Sequence, residues 1–174
     1  MNILKLQFYV TECNGLPSLR FCIDDDIQQE FTFTETESTV DLIIDLLDGK
    51  HKLEIERYGK TDNNTLIDSV GQILQDQTVT LVDMFLDGIK LPDKFKYSGV
   101  FHYNDQSIQS ALVWGPNGKY IFKFETPMIT WAIQEQYHKQ IDTSLEMFIP
   151  DAANAVKVLT ELEKFENMIN GAHD

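Results

Sequence analysis

The stretch of residues 76–88 constrains the fold of this chain more than any other part of the sequence. Apolar side chains take alternate positions along it, with one change of phase, at Val79, Leu81, Met84 and Leu86. An alternation with a period of two is typical of a half-buried strand, because successive side chains point to opposite faces. The change of phase at Val82 and Asp83 predicts a β-bulge. Asp87 and Gly88 then predict a tight turn, because both residues tolerate a left-handed backbone.

The same alternation recurs in several short segments on both sides of this stretch. They are residues 3–10, 19–23, 31–33, 40–46, 51–58, 111–114 and 120–124. Many short strands with turn residues between them, followed by a helical pattern, indicate a mainly β protein. We therefore predict an antiparallel β-sandwich with a small C-terminal helical region. The expected boundaries are a sandwich domain at residues 1–125 and a helical extension at residues 126–174.

Two pairs of these segments are separated only by short turn sequences. Asp48 and Gly49 lie between residues 40–46 and 51–58, and a Gly-Pro-Asn-Gly sequence lies between residues 111–114 and 120–124. A short turn between two alternating segments is typical of a β-hairpin. We expect the two strands of each pair to be neighbours in one sheet.

The last segment of the chain has a helical rather than an alternating pattern. Apolar residues recur there every three or four positions, at Val156, Leu159, Leu162, Phe165 and Ile169. Pro150 and Asp151 precede this run and Gly171 ends it, which predicts an amphipathic helix. Its apolar face is a candidate interface, either with its own domain or with a neighbouring subunit.

Composition excludes several classes of function. The net charge of −14, from 28 acidic and 14 basic residues, disfavours nucleic-acid binding, which needs clustered lysine and arginine. No apolar run is long enough to span a membrane, and the first residues lack the pattern of a signal peptide. We therefore expect a cytoplasmic or virion setting. Cys13 and Cys22 lack metal-type spacing, so we expect two reduced thiols in the core.

No motif in the sequence predicts catalysis. The histidines are dispersed, and there is no nucleophile elbow or cysteine–histidine arrangement. Gly59, Lys60 and Thr61 are similar to the end of a phosphate-binding loop, but the earlier glycine and the following helix are missing. Three adjacent carboxylates at residues 24–26 are expected to form a hairpin turn, because they lack the spaced ligands of a helix-loop-helix calcium site. We predict that the chain is not an enzyme.

The order of features from Asp48 to Gly88 resembles a known family. A glycine and a histidine open the strand at residues 49–55, an Asp-Asn-Asn loop follows at residues 62–64, and a strand that begins after Asp76 ends at a hairpin glycine. This order is similar to that of the calcium-dependent, xylan-binding type of carbohydrate-binding module. The resemblance covers residues 4–91 and implies a jelly-roll β-sandwich.

The resemblance also implies a ligand set. It places calcium, the one candidate cofactor, at Asp62, Asn63, Asn64 and Asp76, whose oxygen atoms suit a hard cation. The binding-loop aromatic that the family has near its calcium has no clear counterpart in this sequence unless Tyr58 takes that position, so Tyr58 is the candidate ligand-binding residue. The sequence departs from the family where Gln77 and Thr78 stand in place of an arginine and an asparagine.

A second resemblance involves the stretch from Phe124 to Trp131 together with the sandwich. It is similar to small structural proteins of tailed-phage virions. Two hypotheses follow from the two resemblances. The first is a non-catalytic interaction protein that contacts protein subunits of a larger assembly, such as a phage virion. The second is a carbohydrate-binding module, with or without calcium.

Overall fold

The computed structural model describes residues 1–136 of the 174-residue chain. The chain divides into two units, Met1–Ala132 and Ile133–Asp174, and the β-sandwich lies in the first. The predicted C-terminal interface lies outside the described residues and stays a prediction; it comprises Val156, Leu159, Leu162, Phe165 and Ile169.

The described residues contain thirteen strands and one short α-helix before residue 127. In chain order they are β1 (Asn2–Thr11), β2 (Ser18–Ile23), β3 (Asp26–Thr32), β4 (Glu37–Ile44), β5 (Gly49–Tyr58), β6 (Thr65–Ile67), β7 (Ile73–Asp76), β8 (Thr78–Leu86), β9 (Ile89–Lys90), α1 (Asp93–Tyr97), β10 (Val100–Tyr103), β11 (Gln106–Gln109), β12 (Val113–Trp114) and β13 (Gly118–Thr126). A 3₁₀ turn at Asp62–Asn64 precedes β6, and residues 128–136 are helical. No helix among the described residues is long and apolar enough to cross a membrane.

The strands form two large sheets and one small one, and every pairing is antiparallel. The five-stranded sheet has the order β12-β8-β1-β4, with β9 also paired to β8. The six-stranded sheet has the order β11-β10-β13-β5-β2-β3. The small sheet is the β6–β7 hairpin. The prediction of a mainly β, antiparallel sandwich is confirmed.

The two large sheets share one hydrophobic core, because alternate side chains of each strand point inward. Trp114 is fully buried in this core, and its ring centroid lies 5.6 Å from that of Phe101, 5.1 Å from that of Tyr120 and 6.3 Å from that of Phe8. Both cysteines are buried and free, as the sequence predicts.

The predicted bulge and turn are both present in β8. The register between β1 and β8 shifts between Gln7 and Phe8, which pair with Asp83 and Leu81 and leave Val82 as the extra residue. The turn at Asp87 and Gly88 has positive φ angles of 50° and 81°. The alternation of apolar residues therefore predicted the local geometry of this strand in detail.

Two of the predicted hairpins are wrong, whereas the hairpin predicted at residues 24–26 is present as β2 and β3. β4 pairs with β1 in the five-stranded sheet, whereas β5 belongs to the six-stranded sheet. In the same way β12 pairs with β8, whereas β13 pairs with β5 and β10. Each short connection crosses from one sheet to the other, residues 45–48 at one end of the sandwich and residues 115–117 at the opposite end. Alternation shows which face of a strand is buried, but it does not show which strand lies beside it.

Replacing Gly118 by alanine is expected to destabilise the sandwich by about 1–3 kcal/mol, because overpacking forces neighbouring atoms to shift. A Cβ there would lie 2.4 Å from the backbone oxygen of His102 and 2.7 Å from the ring of Phe101. Gly115→Ala is the matched control, since its Cβ would meet Asp76 Oδ2 at an ordinary 3.5 Å. Urea unfolding measures both variants, and equal stabilities would contradict this account of the packing.

Candidate functional site

One end of the sandwich collects several connections between strands, and we call it the loop end. It comprises residues 12–17 between β1 and β2, residues 59–64 between β5 and β6, Asp76 and Gln77 at the junction of β7 and β8, and residues 115–117 between β12 and β13. All four predicted calcium ligands lie in the loop end, because Asp62, Asn63 and Asn64 belong to residues 59–64 and Asp76 lies at the junction of β7 and β8. A hydrogen bond from the N–H of Gln77 to the carbonyl oxygen of Asn64 connects the two segments. The loop end is therefore the region in which the predicted site can be assessed.

An ion pair between Lys60 and Asp76 lies within the loop end. The Lys60 ammonium donates to Asp76 Oδ1 at 2.5 Å and to the carbonyl oxygen of Gly115 at 2.9 Å. The Thr65 hydroxyl donates to the same carboxylate oxygen at 2.6 Å. Burial raises the pKa of Asp76, but the Lys60 and Thr65 hydrogen bonds and the Lys60 and Arg57 charges lower it more, so it lies below its ordinary value.

Amide side chains fix the loops around this ion pair. Asn64 Oδ1 accepts a hydrogen bond from the backbone N–H of Thr61 at 2.9 Å, and its Nδ2 donates to the carbonyl oxygen of Cys13 at 2.9 Å. Asn117 binds the backbone of Lys60 twice. Its Oδ1 accepts a hydrogen bond from the N–H of Lys60 and its Nδ2 donates one to the carbonyl oxygen of Lys60, both at 2.9 Å. Side chains thus satisfy backbone groups that no strand ladder reaches.

Arg57 and Gln77 lie beneath the loops and were missed by the sequence analysis. Arg57 is buried at the end of β5, and its Nη2 donates to the carbonyl oxygen of Gln77 at 2.8 Å and to Gln77 Oε1 at 3.0 Å. Gln77 Nε2 donates in turn to the carbonyl oxygen of Gly15 at 2.8 Å. Burial lowers the pKa of Arg57 to about 10, and the Asp76 charge opposes that shift. The only sequence signal for this pair was the glutamine at a position where the resembled family has arginine.

The predicted site residues have different surroundings in the structure. Asn64 and Asp76 are brought together, because the N–H of Gln77 donates to the carbonyl oxygen of Asn64 at 3.0 Å. Asp62 and Asn63 are exposed on the 3₁₀ turn beside Asn64. Tyr58 lies at the end of β5, and its ring lies under the Arg20 guanidinium at 4.9 Å.

The residues present do not fit a calcium ion. Ca²⁺ takes six to eight oxygen ligands, and several of these are usually carboxylates. Within residues 1–136 no group of three or more His, Cys, Asp or Glu side chains is placed to hold a metal. Asp76 already holds the Lys60 ammonium, and Arg57 adds a second positive charge nearby. Calcium binding by Asp62, Asn63, Asn64 and Asp76 stays a prediction from the resemblance.

Similar solved structures exist, whereas no protein-family model and no curated protein matches this sequence. One structure is vCBM60 in complex with galactobiose, at 14% identity and a TM-score of 0.46, covering 69% of this chain and 96% of that chain. Another is the selenomethionine form of vCBM60. It is described with the finding that circular permutation provides an evolutionary link between two families of calcium-dependent carbohydrate binding modules. Its identity is 15% and its TM-score 0.45, covering 70% of this chain and 90% of that chain. With TM-scores below 0.5, neither similarity decides what this chain binds.

A second polar cluster lies at the opposite end of the sandwich, around His51. His51 Nδ1 is 2.6 Å from Asp24 Oδ2, and its Nε2 is 2.9 Å from the carbonyl oxygen of Leu47 and 3.1 Å from Thr126 Oγ1. An Asp-His-Thr order is similar to a hydrolase triad. However, the Thr126 hydroxyl donates its proton to Leu47 at 2.6 Å rather than to the imidazole. The cluster therefore joins the turn after β2 to the connection before β5 and does not activate a nucleophile.

The His51 cluster predicts a pH-dependent contribution to stability. The hydrogen bond to Asp24 raises the pKa of His51 above its ordinary value, against the effect of burial. The protonated imidazole is more stable in the folded than in the unfolded state, so its contribution to stability is complete below about pH 6.5. That contribution is lost as the pH rises through the folded-state pKa. The stability difference between wild type and His51→Gln should therefore be larger at about pH 5.5 than at about pH 8.5.

Chemical denaturation at the two pH values measures this difference. Asp24→Asn is the control, because it removes the anion that raises the pKa of His51 and should reduce the pH dependence in the same window. A difference between wild type and His51→Gln that is the same at both pH values would contradict the prediction.

Proposed function

We propose that this chain is a non-catalytic binding module whose ligand is a neutral carbohydrate held at the loop end. The observation that carries the proposal is a set of loops fixed by hydrogen bonds, next to polar side chains that those bonds leave free. The Asp62 carboxylate and the Asn63 amide are exposed and make no hydrogen bond or ion pair within residues 1–136. The backbone carbonyl of Asn63 is itself held, because it accepts from Asn14 Nδ2 at 2.6 Å.

The chemistry of these free groups matches a sugar. Sugar hydroxyls both donate and accept, a carboxylate accepts, and a side-chain amide does both. Loops that are already fixed lose little conformational entropy when a ligand binds, which favours affinity for a small polar molecule. The net charge of −14 repels polyanions, so a neutral glycan is favoured over an acidic one. The sequence resemblance to carbohydrate-binding modules supports the same proposal.

Tyr58 is the proposed aromatic contact for the ligand. Its ring is partly exposed at the end of β5, and the Arg20 guanidinium lies over one face. Ion pairs with Glu30 at 2.8 Å and Glu56 at 2.9 Å hold Arg20 in that position. A ring fixed from one side presents a rigid apolar surface at little entropic cost, which suits stacking of a sugar face.

Glycan binding tests the proposal directly. An array of neutral oligosaccharides should identify a ligand, and calorimetry should then show that Asp62→Ala or Asn63→Ala weakens binding by about 5- to 10-fold, the loss of one hydrogen bond. Asp48→Ala is the matched control, because Asp48 is an exposed carboxylate at the opposite end of the sandwich. If no neutral glycan binds, or if Asp62→Ala and Asp48→Ala bind equally, the proposal fails.

A second candidate function is contact with a protein partner, and the β6–β7 hairpin favours it. Five apolar side chains of this hairpin are between 43% and 84% exposed: Leu66, Ile67, Val70, Ile73 and Leu74. Ile67 and Ile73 are direct cross-strand partners, so the apolar surface is continuous there. Clustered exposed apolar side chains mark interaction surfaces more often than isolated ones do. The identity of such a partner, including a subunit of a virion, stays a prediction.

The double substitution Ile67→Thr with Leu74→Thr tests the hairpin surface. Both positions are exposed, so we expect the unfolding free energy to change by no more than about 1 kcal/mol. Retention of partner proteins by the tagged chain should fall in this variant and persist in the control Ile89→Thr, whose side chain is exposed on β9. Identical sets of retained proteins for wild type and the double variant would contradict a role for the hairpin.

A further inference from the structure

We infer that the Lys60 ammonium takes the place of a bound metal at the loop end, so that this module is built to work without calcium. The inference concerns the same region as the proposed function. It rests on the geometry around Asp76 alone, and it stands whether or not a glycan binds.

The first argument is the set of oxygen atoms that Lys60 contacts. Its ammonium group has three N–H donors, and two of its contacts are the Asp76 carboxylate at 2.5 Å and the Gly115 carbonyl oxygen at 2.9 Å. A carboxylate and a backbone carbonyl are also the ligands that a hard cation prefers. The side chain of Lys60 is only 12% exposed, so the ammonium group lies among these oxygens rather than in solvent.

The second argument is the way in which the chain positions Lys60. Gly59 has a φ of 79°, a conformation that suits glycine, and it turns the backbone out of β5. Asn117 then holds both the N–H and the carbonyl oxygen of Lys60. Because both backbone groups of Lys60 are held, its side chain starts from a fixed position. Lys60 differs in this respect from a flexible surface lysine.

The third argument is the balance of charge. Lys60 and Arg57 both act on the Asp76 carboxylate, so two positive charges already surround one negative charge. A calcium ion at Asp76 would have to displace Lys60 or bring a double charge close to it. Either arrangement is unfavourable in a partly buried region. Removal of the ammonium would leave the Asp76 carboxylate, the Gly115 carbonyl oxygen and the Thr65 hydroxyl open to a cation, with water molecules supplying the remaining oxygen ligands.

Thermal unfolding in millimolar calcium and in chelator tests the inference on the full chain. We expect calcium to leave the melting temperature of the wild type unchanged and to raise that of Lys60→Met by at least about 2 °C, since a ligand that binds only the folded state stabilises it. Lys52→Met is the matched control. Its lysine pairs with Asp25 at 2.6 Å at the opposite end of the sandwich, so it reports any general effect of calcium on an acidic protein.

A calcium-induced shift in Lys60→Met that is no larger than the shifts of wild type and Lys52→Met would overturn the inference. If Lys60→Met does not fold, calorimetric titration of the wild type with calcium decides the matter. Absence of binding supports the inference, and binding overturns it. Glycan binding measured in chelator is a separate result, so the failure of one proposal can be told from the failure of the other.

Discussion

The Asp76 carboxylate is the point at which distant parts of the chain are joined. Its Oδ1 accepts from Lys60 and Thr65, and its backbone oxygen accepts from the Thr11 hydroxyl at 2.6 Å. Lys60, which precedes β8 in the chain, also connects Asp76 to Gly115, which follows β8. Without these contacts the loops would keep their covalent connections to the sandwich but lose the interactions that fix them relative to each other. The arrangement of the loop end therefore depends on one partly buried ion pair.

The sandwich beneath the loops determines where that ion pair lies. β5 and β8 belong to different sheets, and Arg57 at the end of β5 reaches Gln77 immediately before β8. This contact joins the two sheets at the loop end through the buried guanidinium group of Arg57. Within the described residues, Arg57 Nε and Nη1 have no hydrogen-bond partner, so the arrangement retains an unsatisfied cation under the loops. The positive charge of Arg57 disfavours a doubly charged calcium ion at Asp76 more than it disfavours the single charge of Lys60.

Much of the fold could be predicted from the sequence, whereas little of the site could. The alternation of Val79, Leu81, Met84 and Leu86 predicted both the strand and its bulge, because burial of one strand face acts on every second residue. The choice of sheet for β4 and β12 was missed, since it depends on partners far along the chain. Lys60 appeared in the sequence only as a false phosphate-loop match. Its role depends on Asp76 and Gly115, which are 16 and 55 residues away, and no local pattern records such contacts.

A double-mutant cycle between Lys60 and Asp76 tests the central claim most directly. The unfolding free energies of wild type, Lys60→Met, Asp76→Asn and the double variant give the coupling between the two side chains. A partly buried pair that fixes the loops should show a coupling of about 1–3 kcal/mol. A coupling of about zero, as measured for many exposed surface pairs, would contradict the claim that this ion pair organises the loop end.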